Sequence, residues 1–160
     1  MLTNRLLEAI DVKYKKIHVL YQRSFELTNK IYSVLNEENF SEIQKLIAER
    51  ENNLLSAEKL ISETQKIKAE IIKNNKLSKL DRTEIAKFSE ILADSIETER
   101  LTLIEDIKNI QKIQFKIEEK INSIKTEITK KVNNVGVTKK IHDAYNKNII
   151  NRLVNSFLFF

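Results

Sequence analysis

The longest regular pattern in the chain lies between residues 85 and 135, which read IAKFSEILADSIETERLTLIEDIKNIQKIQFKIEEKINSIKTEITKKVNNV. Apolar residues recur in it at alternating steps of three and four, a spacing that indicates an amphipathic helix and, when sustained, a coiled-coil seam. Asp81 and Glu84 have the spacing of an N-terminal cap, and Gly136 follows a basic last turn, as is typical of a helix end. We therefore predict one long helix over residues 81–135.

Two shorter stripes with the same spacing precede this helix. The first predicts a helix over residues 3–36 and the second a helix over residues 40–74, because polar residues that favour helix ends follow each stripe. A sustained repeat of 3.5 residues produces a left-handed seam between helices that cross at about 20°. The sequence thus predicts an all-α protein in which residues 1–136 form an elongated antiparallel three-helix coiled-coil bundle.

Several polar side chains fall on or beside these apolar stripes. Tyr14 and Tyr21 stand on the shoulders of the first stripe. The seam positions themselves include four polar residues: Arg50, Arg100, Gln114 and Lys131. Such residues either fix the register of a coiled coil and mark the ends of a bundle, or they form a functional polar site.

The composition excludes most other fold and function classes. The chain has one glycine, no proline, no cysteine and no tryptophan. A glycine-rich phosphate loop or a dinucleotide-binding fingerprint needs several residues without a Cβ atom, and all-β folds need glycine and proline at many tight turns. Without cysteine, the chain has no disulfides, no thiolate nucleophile and no zinc site with cysteine ligands.

The segment 137–160 differs from the rest of the chain in charge. Residues 1–129 contain 22 basic and 22 acidic residues, whereas residues 130–160 contain six basic residues and Asp143 alone, which accounts for the net charge of +5. Apolar residues at steps of four predict a short amphipathic helical tail. This tail is either a fourth helix of the bundle or a partner-binding segment, and we predict partner-binding residues at Ile141, Tyr145, Ile149, Leu153 and Phe157.

No motif in the sequence points to catalysis. The two histidines, His18 and His142, have no second histidine at ligand spacing, and no nucleophile is paired with a base in a recognisable pattern. We expect no catalytic, cofactor-binding or metal-ligating residues, and hence a protein that is not an enzyme. The tail lacks the arginine density of a nucleic-acid reader, so we expect no nucleic-acid partner. Charges run through the first 20 residues and no long apolar run occurs, from which we expect a cytoplasmic protein.

A resemblance to a known family adds to this interpretation. Residues 40–51 read FSEIQKLIAERE and are followed by Leu54 and Leu55, while Lys139-Lys140 and Ala144-Tyr145 follow the long helix. Over residues 36–145 the chain resembles the bacterial flagellar export chaperones of the FlgN and FliT type. In that family, a short turn between helices precedes a helix with an apolar pair, an acidic residue and an arginine, and the C-terminal end is basic with a tyrosine.

The resemblance implies a cytoplasmic, non-enzymatic chaperone, either a monomer or a homodimer. Its partner would be a flagellar hook-associated or filament-cap protein, whose amphipathic terminal helix the chaperone masks before export. One alternative is a structural or adaptor coiled-coil protein whose helices build an oligomer. A second alternative is a peripheral membrane protein that binds anionic lipid through the basic tail, although we do not expect a membrane surface to be the main partner.

Overall fold

A computed structural model describes residues 2–37 and 40–135, with the side chains of residue 40 and of residues 132–135 excepted. It contains helices α1 (Leu2–Asn36), α2 (Phe40–Asn75), α3 (Arg82–Ala86) and α4 (Glu90–Val135), which pack against one another. No strand occurs among the described residues. The prediction of an all-α protein is confirmed, and α1 and α2 begin and end within one residue of their predicted bounds.

The single helix predicted over residues 81–135 is wrong, because the chain leaves the helix between Ala86 and Glu90. The backbone N–H groups of Phe88 and Ser89 both donate to the Ile85 carbonyl, at 2.9 and 3.0 Å, and close the short helix α3. Ser89 then accepts a hydrogen bond from the Leu92 N–H through its hydroxyl, at 3.3 Å. A serine that caps a new helix in this way competes with continuation of the preceding one.

The ends of the other helices show how the chain turns with few glycines. Asp81 caps α3 by accepting a hydrogen bond from the Glu84 N–H at 3.0 Å, as its spacing predicts. After α2, Lys76 adopts a left-handed backbone conformation with φ of 54°. The Leu77 N–H donates to the Ile72 carbonyl at 3.0 Å, which is the six-to-one bond of a Schellman motif. A lysine thus occupies the position that usually holds glycine.

The contacts divide the chain into two compact units. Unit 1 comprises Met1–Glu26 and Glu49–Ile110. Unit 2 comprises Leu27–Ala48 and Gln111–Phe160, of which the structure describes the part up to residue 135. Each unit therefore contains pieces of α1, α2 and α4, and unit 1 contains α3 as well.

In unit 1, α1 and α2 run in opposite directions. The beginning of α1 meets the end of α2, where the Asn75 side-chain amide donates to the Thr3 hydroxyl at 3.3 Å. Further along α1, Arg23 donates to Glu49 near the start of the α2 portion at 2.6 Å. The unit 1 core lies between these helices and α3 and α4, and consists of Leu7, Ile10, Ile17, Ala57, Ile71, Ile85, Ala93, Ile96 and Leu103.

Unit 2 has a core of its own, built from three stretches of chain. Helix α1 contributes its last three turns, α2 its first two and α4 the region after residue 111. The buried members are Leu27, Ile31, Val34, Leu35, Ile43, Leu46, Ile47, Ile117 and Ile121. Burial of these aliphatic side chains is worth roughly 1.5 to 3 kcal/mol each, which makes this cluster the main source of stability in the unit.

The polar residues predicted on the apolar seams do not share one environment. Arg50 is 1% exposed, whereas Arg100 and Lys131 lie at the surface and Gln114 is half-buried. Arg100 shares a helical face with Ile96 and Leu103, but its guanidinium lies at the surface and pairs with Glu97. Of these four residues, only Arg50 is buried.

Candidate partner-binding groove

The residues predicted to bind a partner lie outside the described part of the chain. They are Ile141, Tyr145, Ile149, Leu153 and Phe157, all beyond residue 135. The structure shows a different candidate site in unit 1, a groove of about 230 Å³ between three helices. We call it the unit 1 groove, and its lining residues are Tyr14, Ile17, Tyr21, Ile61, Thr64, Gln65, Lys68, Arg100, Leu103, Ile104 and Ile107.

Helical spacing brings these side chains to one place. Tyr14, Ile17 and Tyr21 are three and four residues apart on α1, so they project from one face of that helix. The same spacing relates the lining residues of α2, which are Ile61, Thr64, Gln65 and Lys68. It also relates the lining residues of α4, which are Arg100, Leu103, Ile104 and Ile107. Each helix thus supplies one wall of the groove.

The floor of the groove is apolar and its rim is accessible. Ile17 and Leu103 are buried and belong to the same core cluster. Thr64 is also buried, and its hydroxyl donates back to the Leu60 carbonyl of its own helix at 2.8 Å, which satisfies that polar group. Ile104 is 37% exposed. Part of an apolar side chain is therefore accessible at the rim.

Tyr14 and Lys68 join α1 to α2 across the groove. The Lys68 ammonium donates a hydrogen bond to the Tyr14 hydroxyl at 2.8 Å, and its nitrogen lies 5.1 Å from the centre of the tyrosine ring. Both side chains are half-buried. The ammonium therefore has a neutral oxygen as its hydrogen-bond acceptor, and the ring adds a modest cation–π attraction.

Arg100, the other cation of the groove, is held by a carboxylate on its own helix. Its Nε and Nη2 atoms donate to the two carboxylate oxygens of Glu97, at 2.8 and 2.7 Å. The hydrogen bonds and the charge of Glu97 raise the pKa of Arg100, and the same pair lowers the pKa of Glu97. This bidentate pair fixes the direction of the guanidinium and balances its charge.

Tyr21 keeps its proton at neutral pH. Burial raises the pKa of its phenol above the usual value, and the nearby negative charge of Glu58 raises it further. A protonated phenol can donate a hydrogen bond as well as accept one. The groove therefore presents a neutral hydroxyl at this end.

A second cavity of about 380 Å³ adjoins the same three polar residues. Tyr14, Lys68 and Arg100 line it too, together with residues of α3 and the loop before it. Its charges are mixed, because Asp81 and Glu97 line it beside Arg82. Arg82 is occupied by ion pairs with Glu90 and Asp94, at 2.7 and 2.6 Å. Three cations and two carboxylates line this cavity, so its positive excess is small.

The groove has the chemistry of a binding site. It offers apolar surface, hydroxyl groups and two cations, which are the groups that anchor a peptide or a protein helix.

Elsewhere in unit 1, the His18 Nδ1 atom lies 3.3 Å from a carboxylate oxygen of Glu99. Over residues 2–37 and 40–135, no group of three histidine, aspartate or glutamate side chains is arranged to hold a metal ion.

Sequence reasoning identified part of this groove. It singled out Arg100 as a polar seam residue and noted both tyrosines, but it did not connect them with Lys68. The step of seven between Tyr14 and Tyr21 was a usable signal, since it places both rings on one side of α1. Which lysine of α2 faces them depends on how α1 and α2 are aligned, which the sequence pattern leaves open.

No protein-family model matches the chain, and searches of curated proteins and of solved structures give no significant match. Within the described residues, none of the helices combines the length and the apolar character needed to cross a membrane. The function proposed below is therefore supported by the groove and by the sequence pattern.

Proposed function

We propose that this protein is a non-enzymatic chaperone of the flagellar secretion type, which binds an amphipathic helix of an export substrate in the cytoplasm. The observation that carries the proposal is the unit 1 groove, an apolar concavity with a polar rim between three helices. Such a groove accepts the apolar face of a further helix, whose side chains at steps of three and four enter it.

The size of the groove favours a helix over a small molecule. Pockets for small ligands usually enclose about 300 to 1,000 Å³. The unit 1 groove encloses about 230 Å³ and is lined along three helices, so it suits one or two side chains of a longer partner. Exposed Ile104 at its rim would be covered by that partner.

In this proposal, the finer architecture is an antiparallel three-helix coiled-coil bundle followed by a short helical tail. It is supported by the cores of both units, since α1, α2 and α4 contribute to each of them and α3 adds to the core of unit 1. The tail residues from Ile141 to Phe157 form a second partner contact. The client would be a flagellar hook-associated or filament-cap protein, as the resemblance implies.

Titration with a client helix tests the proposal. The probe is a synthetic peptide with the amphipathic terminal helix of a hook-associated protein, and calorimetry with the full chain should show saturable one-to-one binding. Ile104→Asp should weaken binding about tenfold or more, because it puts a charge against the apolar face of the peptide. Ile91→Asp is the matched control, since Ile91 lies on the same helix, is 82% exposed and does not line the groove.

Two outcomes would contradict the proposal. Equal loss of affinity in the two variants would show that the groove is not the contact. A chain that binds no such peptide and forms a defined oligomer by itself in light scattering would instead be a structural or adaptor coiled-coil protein.

A further inference from the structure

The unit 1 groove has an uneven charge, which bears on the partner it selects. Its lining includes two cations, Lys68 and Arg100, and no aspartate or glutamate. The two cations are not equivalent. Arg100 is paired with both oxygens of Glu97, whereas Lys68 makes its hydrogen bond to the neutral hydroxyl of Tyr14.

Lys68 is the cation of the groove that is available to a partner. Among the described residues, no carboxylate lies within 4.0 Å of its ammonium, and both carboxylate oxygens of Glu97 accept hydrogen bonds from Arg100. The side chain is half-buried, so water solvates the ammonium only in part. An incoming carboxylate would meet a positive charge that no ion pair compensates.

Tyr14 allows one carboxylate to make two hydrogen bonds at this point. Its hydroxyl oxygen accepts from Lys68 at 2.8 Å, which leaves the hydroxyl proton free to be donated elsewhere. Because the lysine and tyrosine donor atoms are this close, the two oxygens of one carboxylate can accept from both. Hydrogen bonds that involve an ionised group are roughly twice as strong as neutral ones.

From this geometry we infer that the unit 1 groove binds a helix of a protein partner that carries a glutamate or aspartate between apolar anchors, with the carboxylate on Lys68 and Tyr14. The inference rests on the proposed function and adds the chemical identity of the partner segment. The apolar floor of Ile17 and Leu103 holds the anchors. That floor distinguishes this occupant from a phosphate or a nucleic acid, which would leave the floor uncovered.

A pair of designed peptides tests the inference. Both are helical 18-residue peptides with leucines at steps of three and four, and they differ only in a central glutamate or glutamine between two leucines. With the full chain, fluorescence anisotropy at low salt should show the glutamate peptide binding about tenfold more tightly, the range expected of a partly desolvated charge pair. The preference should shrink as salt is added.

Variants of the groove locate the effect. Lys68→Met should remove the preference by weakening the glutamate peptide about tenfold while leaving the glutamine peptide within twofold. Tyr14→Phe should weaken the glutamate peptide severalfold, and Lys68→Arg, which keeps the charge, should retain the preference. Lys66→Met is the matched control, because Lys66 is exposed on the same helix and does not line the groove. Circular dichroism melts establish that each variant is folded.

The outcomes separate this inference from the proposed function. Equal affinity for the two peptides would overturn the acidic preference and leave the chaperone proposal standing. Absence of binding to both, together with absence of binding to the client helix, would overturn both proposals. A Lys68-dependent attraction to anionic vesicles without peptide binding would overturn the inference in favour of a membrane surface.

Discussion

Among individual residues, Arg50 has the most unusual environment. Its side chain, with 1% exposure, is the largest that is fully buried among residues 2–37 and 40–135. Burial lowers the pKa of its guanidinium to about 10, and the nearby charge of Glu51 raises it. The pKa is still far above neutrality, so the folded chain contains a buried charge at pH 7. Burial is the largest influence on the pKa of this side chain.

We predict that Arg50→Met stabilises the chain by about 1 to 3 kcal/mol, because an unbranched apolar side chain fills the space without a desolvation cost. Urea denaturation at pH 7 measures the change as a higher midpoint at an unchanged slope. Lys59→Met on the exposed face of α2 should alter stability by no more than about 0.5 kcal/mol. A lower midpoint for Arg50→Met would show that Arg50 is a net stabilising residue of the seam.

Asp81 supplies a pH-dependent cap at the start of α3. A hydrogen bond from Lys79, at 2.6 Å, is the main cause that lowers the pKa of this carboxyl, and the Glu84 N–H lowers it further. A carboxyl whose pKa is lower in the folded chain than in the unfolded chain stabilises the fold at pH values above its unfolded-state pKa. This stabilisation is lost as the pH falls through the folded-state pKa.

We therefore expect the Asp81 carboxyl to titrate below its usual value in an NMR titration of the full chain. Lys79→Met should raise this pKa partway toward the usual value, because the bond from the Glu84 N–H remains. Lys87→Met is a suitable control, since Lys87 pairs with Glu84 and not with Asp81. A pKa that Lys79→Met does not move would show that the ion pair is absent in solution.

At the level of elements, the end of α2 is the clearest strained position. Lys76 has a positive φ, a conformation that costs a residue with a Cβ atom roughly 1 kcal/mol and costs glycine almost nothing. Lys76→Gly should therefore stabilise the chain by about 0.5 to 1 kcal/mol in thermal or urea denaturation. Lys73→Gly, one turn earlier in α2, should destabilise it by about 1 kcal/mol. Loss of stability in both variants would mean that Lys76 does not adopt the left-handed conformation after α2.

The register of α4 in unit 2 can be tested at neighbouring positions. Ile121 is a buried member of the unit 2 core, Ile124 packs against that core while partly exposed, and Lys125 is exposed. In urea denaturation, Ile121→Ala should lower the free energy of unfolding by about 2 to 5 kcal/mol. Ile124→Ala should lower it less, and Lys125→Ala by no more than about 0.5 kcal/mol. Equal shifts for Ile121 and Lys125 would show that the helix is rotated from this register.

For the whole molecule, the separation of charge along the chain predicts a division of roles. Residues 1–129 are neutral in sum and the segment from residue 130 carries the entire net charge of +5. We expect a chain that ends at Gly136 to keep most of its helicity and its cooperative unfolding, and to lose most of its affinity for the client helix. Circular dichroism and calorimetry measure the two effects. Much earlier melting of this shortened chain would identify the tail as a further helix of the bundle.

In the full-length chain, substitutions in the tail refine this expectation. Tyr145→Ala and Phe157→Ala should weaken client binding more than Lys147→Ala, because buried aromatic anchors carry interface energy while charges at the rim mainly affect association rate and salt dependence. Equal effects of all three would indicate binding by charge alone.

The sequence by itself determined the helical class, the bounds of α1 and α2, the cap at Asp81 and the neutral body with its basic tail. These features depend on the spacing of residues a few positions apart and on charge, both of which can be read along the chain. Only the tertiary structure decided that α3 ends before Ser89, because one apolar stripe continues through both helices and the spacing does not reveal the break. It also decided that Arg50 is buried while Arg100 faces outward, and that Lys68 meets Tyr14. Those outcomes depend on the alignment of helices that are distant in sequence, and helical periodicity is the same for every such alignment.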